Sequence, residues 1–321
     1  MCTAVSRRQL FGRTLDYEHS FGEALTVTPR NFPLSFLHSP TLTQHYAICG
    51  MARVQEGYPL YFDGFNEKGI AAAGLNFTQS TVYGQPDSEK LSLAQFELLP
   101  WILGTCATVT EAVRLLQNCV ITGECFAPEL PAARLHWLLS DGGQAVTVEA
   151  VEGGVRVYPN RPGVLTNEPP FPVQLQNLSA YQTLSAADPE NRAFPGLSLP
   201  LCSRGMGAVG LPGDLSSPSR FVRAAFANAN SLWDGDNDAQ MNQMFHLLDT
   251  VSQIRGLCRV AEGQYECTRY AAVMDPRRGV YCYTTYENRR PTAVCLNRCD
   301  LDADAILQFP LRREPDILWE L

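Results

Sequence analysis

The sequence contains no block of lysine and arginine, no apolar run of membrane length, no internal repeat and no cysteine and histidine pairs at zinc-finger spacing. Each absence removes a class of protein. Nucleic-acid binders gather basic residues on one face; this chain of 321 residues carries a formal net charge of -8 and scatters its 25 lysines and arginines. No nucleic-acid partner is expected. Two arginines lie within residues 1–10, but no signal-length apolar stretch follows them and no later stretch approaches a membrane span, so neither secretion nor a membrane partner is expected. The chain reads as cytoplasmic. Its eleven cysteines are an odd number without a repeating frame, which in that compartment means free thiols and small buried hydrophobes. Cys295 and Cys299 have no second pair at metal spacing, so no metal is expected, and no organic cofactor is called for.

What is present describes a globular enzyme: 45% hydrophobic and 18% charged residues, enough to bury a sizeable core. No linker forces a cut, and a single domain over residues 1–321 is expected, with the proline-rich stretches 159–172 and 189–212 read as loops. Alternating patterns predict strands at 2–5 and 10–15 across a tight turn at 6–9, then at 46–54, 60–66 and 70–76. Residues 92–103 are densely apolar and read as helix; Thr108 with Glu111 forms a capping box before a second helix. Strands return at 135–140, 145–151 and 155–158. Ser217 before Pro218 resembles an N-cap with a first-turn proline, opening a helix to 229, and 239–254 is its partner. Strands at 268–274, 280–286 and 292–296 finish the chain. This order suits an α+β protein in which two helical layers cover two stacked antiparallel sheets.

Cys2 alone says little, because a small second residue merely permits removal of the initiator Met1. Its surroundings say more. The segment Phe11-Gly12-Arg13-Thr14-Leu15-Asp16 lies on the partner strand of the first hairpin, bringing a guanidinium and a carboxylate back to the chain terminus. A thiol of ordinary pKa about 8.5 is mostly protonated at neutral pH; a nearby arginine favours the thiolate, and an α-amine of pKa about 8 can accept the proton. Asp16 would then orient that amine. An ordinary cross-strand ion pair between Arg13 and Asp16 is the plainer alternative.

Met1-Cys2-Thr3-Ala4, Phe11 to Glu18 and Thr28-Pro29-Arg30-Asn31 together resemble the N-terminal signature of the choloylglycine hydrolase family, which contains bile salt hydrolases and penicillin V acylases. The resemblance continues in order through Glu67-Lys68-Gly69-Ile70, Ala73-Gly74-Leu75-Asn76-Phe77, Leu135-His136-Trp137-Leu138, Gly163 to Asn167, and Gly210 to Asp214 with Ser219-Arg220-Phe221. It implies the four-layer αββα sandwich of N-terminal nucleophile (Ntn) hydrolases. It also implies Cys2, freed of Met1, as nucleophile with its own α-amine as base, and Arg13, Asp16, Asn76, Asn167 and Arg220 completing the catalytic site. The asparagines are suited to stabilise the developing oxyanion, and Arg220 to hold a polar network or lower the thiol pKa.

Position 76 is Asn where the penicillin V acylases tend to carry Tyr, so the resemblance leans towards amidases of conjugated bile acids, a rigid apolar steroid joined to glycine or taurine. Such a substrate calls for an apolar pocket with a polar end. Leu15 and Phe62 are the expected substrate contacts, with Tyr17, Leu60, Tyr61 and Phe126 in neighbouring segments. Two departures stand out: the 6–9 turn is shorter than the family's, and Glu168 adds a negative charge beside Asn167, which is expected to weaken binding of an anionic headgroup. The resemblance further implies a homo-oligomer, a tetramer. Rival readings are an acylase of penicillin V or acyl homoserine lactones using the same site, and a non-catalytic binder of steroid-like ligands. A Cys–His pair drawn from His19, His38, His45, His136 or His246 lacks any recognisable motif.

Overall fold

A computed structural model describes residues 1–320. In chain order the strands and helices are β1 (Cys2–Arg7), β2 (Leu10–Tyr17), β3 (Ala24–Thr28), β4 (Ile48–Gln55), β5 (Tyr58–Asn66), β6 (Ala71–Asn76), β7 (Leu91–Ala94), α1 (Leu98–Thr105), α2 (Val109–Leu116), β8 (Cys119–Thr122), β9 (Leu135–Ser140), β10 (Ala145–Val151), β11 (Gly154–Pro159) and β12 (Val164–Leu165). They continue as α3 (Phe171–Leu178), α4 (Ser217–Asn230), α5 (Asn237–Asp249), β13 (Cys258–Ala261), β14 (Gln264–Asp275), β15 (Val280–Thr285), β16 (Thr292–Cys295) and β17 (Leu307–Pro310).

Two antiparallel sheets stack face to face. The first runs β12-β1-β2-β14-β15-β16 with β13 attached to β14; the second runs β11-β10-β9-β6-β5-β4-β3-β17. Helices α4 and α5 cover the outer face of the first sheet against β1, β2 and β14, and α1 covers the second against β4, β5 and β6. The result is an αββα sandwich with two apolar layers. One joins the facing sheets to α4 and α5 through residues such as Leu10, Phe65, Phe221 and Tyr270. The other lies under α1 and α2 around Trp137, Ile102 and Leu139. Large side chains buried this completely each contribute about 1.5–3 kcal/mol from removal of apolar surface. Among the described residues no helix is long and apolar enough to cross a membrane.

The structure departs from expectation in several places, among them the helix read over 239–254, which ends at Asp249. Residues 92–94, read as the start of a helix, belong to β7, which pairs in parallel with β8, and the helix begins only at Leu98. A short run rich in apolar residues is ambiguous between buried strand and buried helix. The N-cap position of α4 is Ser216, without a side-chain capping bond, and Ser217 turns its hydroxyl towards residues 166 and 167. The stretch 159–172, read as loop, contains β12, which pairs Ala4 with Leu165 and Val5 with Val164 and so delivers Asn167 to the chain terminus.

Candidate active site

The β1–β2 register pairs Cys2 with Leu15 and Thr3 with Thr14, so alternate residues of the hairpin serve two different layers. Cys2, Arg13, Leu15 and Tyr17 face the second sheet. Gly12, Thr14 and Asp16 face the helices, and Gly12 is required there: a Cβ at this position would lie 2.8 Å from Met244 Cγ of α5. Opposite, β14 pairs Thr268 with Asp16 but Tyr270 with Leu15, leaving Arg269 as a bulge. The bulge reverses the alternation of β14. Tyr270 thereby joins Arg13 on the inner face, while Thr268 and Glu266 join Asp16 on the outer one.

On the inner face the fully buried Arg13 donates to Asp63 Oδ2 at 3.2 Å and to the carbonyl of Phe62 at 3.1 Å, with its guanidinium 5.6 Å from the ring centre of Tyr270. Asp63 also accepts from the hydroxyls of Tyr270 at 2.5 Å and Tyr281 at 2.6 Å. Burial opposes the charge on Arg13, but Tyr270, Cys2 and Asp63 around it outweigh burial and hold its pKa above the ordinary arginine value. Beside this cluster Cys2, itself 1% exposed, opens into an apolar cavity of 190 Å³. Leu15 and Phe62 line it, as do Tyr17, Leu60, Tyr61 and Phe126, and Asn76 supplies a polar group near the thiol. No histidine lines it among the described residues.

At the edge of the first sheet, Arg220 reaches down from α4. Its Nη1 donates to the Cys2 carbonyl at 2.6 Å and to Thr3 Oγ1 at 2.7 Å; its Nη2 donates to Asn167 Oδ1 at 2.7 Å. The same Asn167 Oδ1 accepts the nitrogen of Cys2 at 3.0 Å, and Asn167 Nδ2 donates to the Asn76 carbonyl at 2.8 Å. Asn167 therefore bridges β1, β6 and α4, and Ser217 Oγ fixes its backbone by accepting the Asn167 N–H at 2.8 Å. Burial lowers the pKa of Arg220, only partly offset by Asp16, Cys2 and Glu266.

Asp16 is buried, and its carboxylate accepts from the hydroxyls of Thr268 at 2.7 Å and Thr14 at 3.0 Å. Arg13 and Asp16 do not pair with each other, since they project from opposite faces of β2. The nitrogen of Met1, the residue whose removal frees the Cys2 amine, meets Glu266 Oε1 at 3.0 Å, while the Asp16 backbone pairs with Met1 in strand fashion. Glu266 and Asp63 were not singled out from the sequence. Asp63 left a signal, a lone acid within Leu60-Tyr61-Phe62-Asp63-Gly64-Phe65; Glu266 left none, because the bulge that aims it is invisible to alternation.

Glu168 does not direct its charge into the site. Its Oε1 accepts the N–H groups of Gln79 and Ser80 at 2.8 and 2.9 Å, and its Oε2 the Ser80 hydroxyl at 2.8 Å, tying the segment after β6 to the one after β12. His136 is structural: it stacks on Phe77 with ring centres 4.3 Å apart and meets the Thr166 carbonyl at 2.9 Å.

A four-layer sandwich with a cysteine at the start of a central strand, its nitrogen held beside an apolar cavity, is the architecture of an Ntn-type hydrolase of linear amides. A family model of linear amide C–N hydrolases, the choloylglycine hydrolase family, matches residues 1–309. The chain belongs to that family. It is 44% identical over 317 residues, 98% of each chain, to the bile salt hydrolase/transferase of Lactiplantibacillus plantarum. Its structure superposes on the C2A variant of the conjugated bile acid hydrolase from Clostridium perfringens with a TM-score of 0.91 and 32% identity over 99% of both chains. The penicillin V acylase of Agrobacterium tumefaciens shares the fold, with a TM-score of 0.77 and 24% identity over 98% of this chain and 92% of that one.

Proposed function

We propose that this protein hydrolyses the amide bond of glycine- or taurine-conjugated bile acids, with Cys2 as nucleophile after removal of Met1. The observation that carries the reading is the position of Cys2, whose nitrogen is held by Asn167 while its side chain opens into an apolar cavity. With Met1 gone, that nitrogen is an α-amine able to take the thiol proton. The sulfur adds to the substrate carbonyl, and Asn76, through its side-chain Nδ2 or its backbone N–H, receives the oxyanion. The leaving amine takes the proton from the α-ammonium as the C–N bond breaks, leaving a thioester; water, deprotonated by the same amine, then releases the bile acid. Arg220 and Asn167 keep the amine in place, Arg13 and Asp16 hold the two faces of β2, and no cofactor enters.

The cavity is smaller than the roughly 300–1,000 Å³ typical of sites that enclose a ligand. A steroid bound against Leu15 and Phe62 therefore extends between the rim loops near Phe126. Asn76, together with the relative named as a bile salt hydrolase/transferase, supports bile salts over penicillin V. A single domain acting as a homotetramer in the cytoplasm completes the reading, on the family resemblance alone.

The test is turnover of taurocholate, glycocholate and penicillin V by purified protein whose intact mass is known. Bile salt cleavage that Cys2→Ser abolishes is expected. Inactivity on both bile salts removes the substrate, and active protein that retains Met1 removes the mechanism.

A further inference from the structure

Tyr17 follows Leu15 on the inner face of β2 and lines the same cavity as Cys2 and Asn76. Its hydroxyl donates to Asn76 Oδ1 at 2.6 Å, a short bond for an O–H donor and a carbonyl acceptor. The Asn76 carbonyl is also held. The residue's Cα lies opposite Leu135 of β9 in a pair without ladder hydrogen bonds, the neighbouring Phe77 N–H bonding to the Arg134 carbonyl, and its own carbonyl accepts Asn167 Nδ2 at 2.8 Å. Among the described residues, the side-chain Nδ2 of Asn76 has no protein partner.

A side-chain amide on a half-solvated strand end can turn over and present either its oxygen or its nitrogen to the same space. The two faces have opposite effects on an amide under attack: the nitrogen donates to the oxyanion, the oxygen repels it. We infer that Tyr17 is a positioning residue which, by holding Asn76 Oδ1, keeps Asn76 Nδ2 turned towards the acyl group on Cys2. The inference rests on the hydrolase reading above.

Tyr17 is well placed for this. Its ring meets Phe21 edge-on with centres 4.7 Å apart, which limits its rotation. Burial and then the nearby Cys2 raise the phenol above its usual pKa, outweighing the bond to Asn76, so at neutral pH it remains an O–H donor. A phenolate could not perform the role, since it would attract the nitrogen of Asn76 and turn the oxygen to the substrate. The neighbouring amide, Asn167, needs no such guard, because its oxygen is already held by the Cys2 nitrogen and Arg220.

The experiment is a double-mutant cycle of Tyr17→Phe and Asn76→Ala, with kcat and KM measured on whichever of taurocholate, glycocholate and penicillin V the wild type cleaves. Tyr17→Phe keeps the ring and its packing, which an unchanged urea midpoint verifies. Removing one oxyanion donor costs about 10²- to 10³-fold in kcat, the loss expected for Asn76→Ala. Tyr17→Phe should lower kcat by about tenfold or more through misplacement of that donor, with KM nearly unchanged. Added to Asn76→Ala, it should do nothing further. Wild-type kcat in Tyr17→Phe overturns the inference, as does a loss confined to KM, which marks a plain substrate contact, or two losses that multiply. A wild type inactive on all three amides overturns the hydrolase reading and this inference with it; turnover untouched by Tyr17→Phe overturns this inference alone.

Discussion

Arg13 and Arg220 are both fully buried and both lie close to Cys2, yet the two faces of the first sheet hold them by different means. Arg13, on the inner face, has a counter-charge in Asp63, which two tyrosine hydroxyls also bind. Arg220, on the outer face, bonds only to neutral acceptors: the carbonyls of Cys2 and Leu215, Thr3 Oγ1 and Asn167 Oδ1. A guanidinium neutralised by its own carboxylate acts as a strut between the sheets. One that bonds only to neutral oxygens, with the carboxylates of Asp16 and Glu266 nearby but not bonded to it, keeps most of its field for an anion forming beside it, at a desolvation cost that lowers its pKa. The difference separates a residue that holds the sandwich together from one that serves the terminus, although both belong to the family signature.

The largest expected effect tests the strut. Arg13→Met leaves Asp63 buried without a counter-charge and should cost about 3–5 kcal/mol of stability in urea unfolding. Adding Asp63→Asn should recover most of that loss, because the stranded charge disappears with it. A double variant as unstable as the single one would mean that Arg13 packs rather than pairs. For Arg220→Met the balance should tip the other way. Stranded acceptors cost about 1–3 kcal/mol, leaving a folded protein, but kcat/KM should fall by about 10²-fold or more once Asn167 and Cys2 lose their common anchor. Activity per folded molecule, from circular dichroism beside turnover, is the measurement. If activity merely follows the folded fraction, the two arginines are alike and the contrast fails.

This contrast was only half legible in the sequence. Strand alternation located β1, β2, β5 and β6 and the sandwich they build, because residues with one buried face repeat every second position. It also implied that Arg13 and Asp16, three apart on one strand, project from opposite faces, yet proximity in sequence invited an ion pair between them. The partner of Arg13 comes instead from β5, 50 positions away. Asn167 depends on β12, two residues long and too short to carry a period. Ser217 looked like a helix cap because its hydroxyl precedes a proline; Ser216 takes the N-cap position without a side-chain bond, and the hydroxyl of Ser217 serves Asn167. Family motifs located the site without separating roles. Thr28-Pro29-Arg30-Asn31 and Glu67-Lys68-Gly69-Ile70, for instance, meet each other rather than the thiol, through Arg30 and Glu67.

That last pair extends the contrast to a half-exposed arginine and carries the smallest expected effect. Arg30 clasps Glu67 with Nε at 2.9 Å and Nη2 at 2.7 Å, and Nη1 reaches Asp302 at 2.8 Å. The bond from Arg30 lowers the Glu67 pKa below its ordinary 4.5, with burial opposing it and the Ala47 N–H assisting. A carboxyl group whose pKa falls on folding stabilises the native state above its unfolded pKa and loses that contribution as pH drops through the folded value. Glu67→Gln should therefore cost little at pH 7, on the order of 1 kcal/mol or less because Arg30 is open to solvent. The gap between wild type and variant should close as pH falls below about 4.5. Urea midpoints for both proteins between pH 7 and pH 3 decide it. A gap that persists at low pH would mean that Glu67 acts through its shape and its bond to Ala47 rather than through charge. Burial alone, and not charge pairing, would then rank the three arginines.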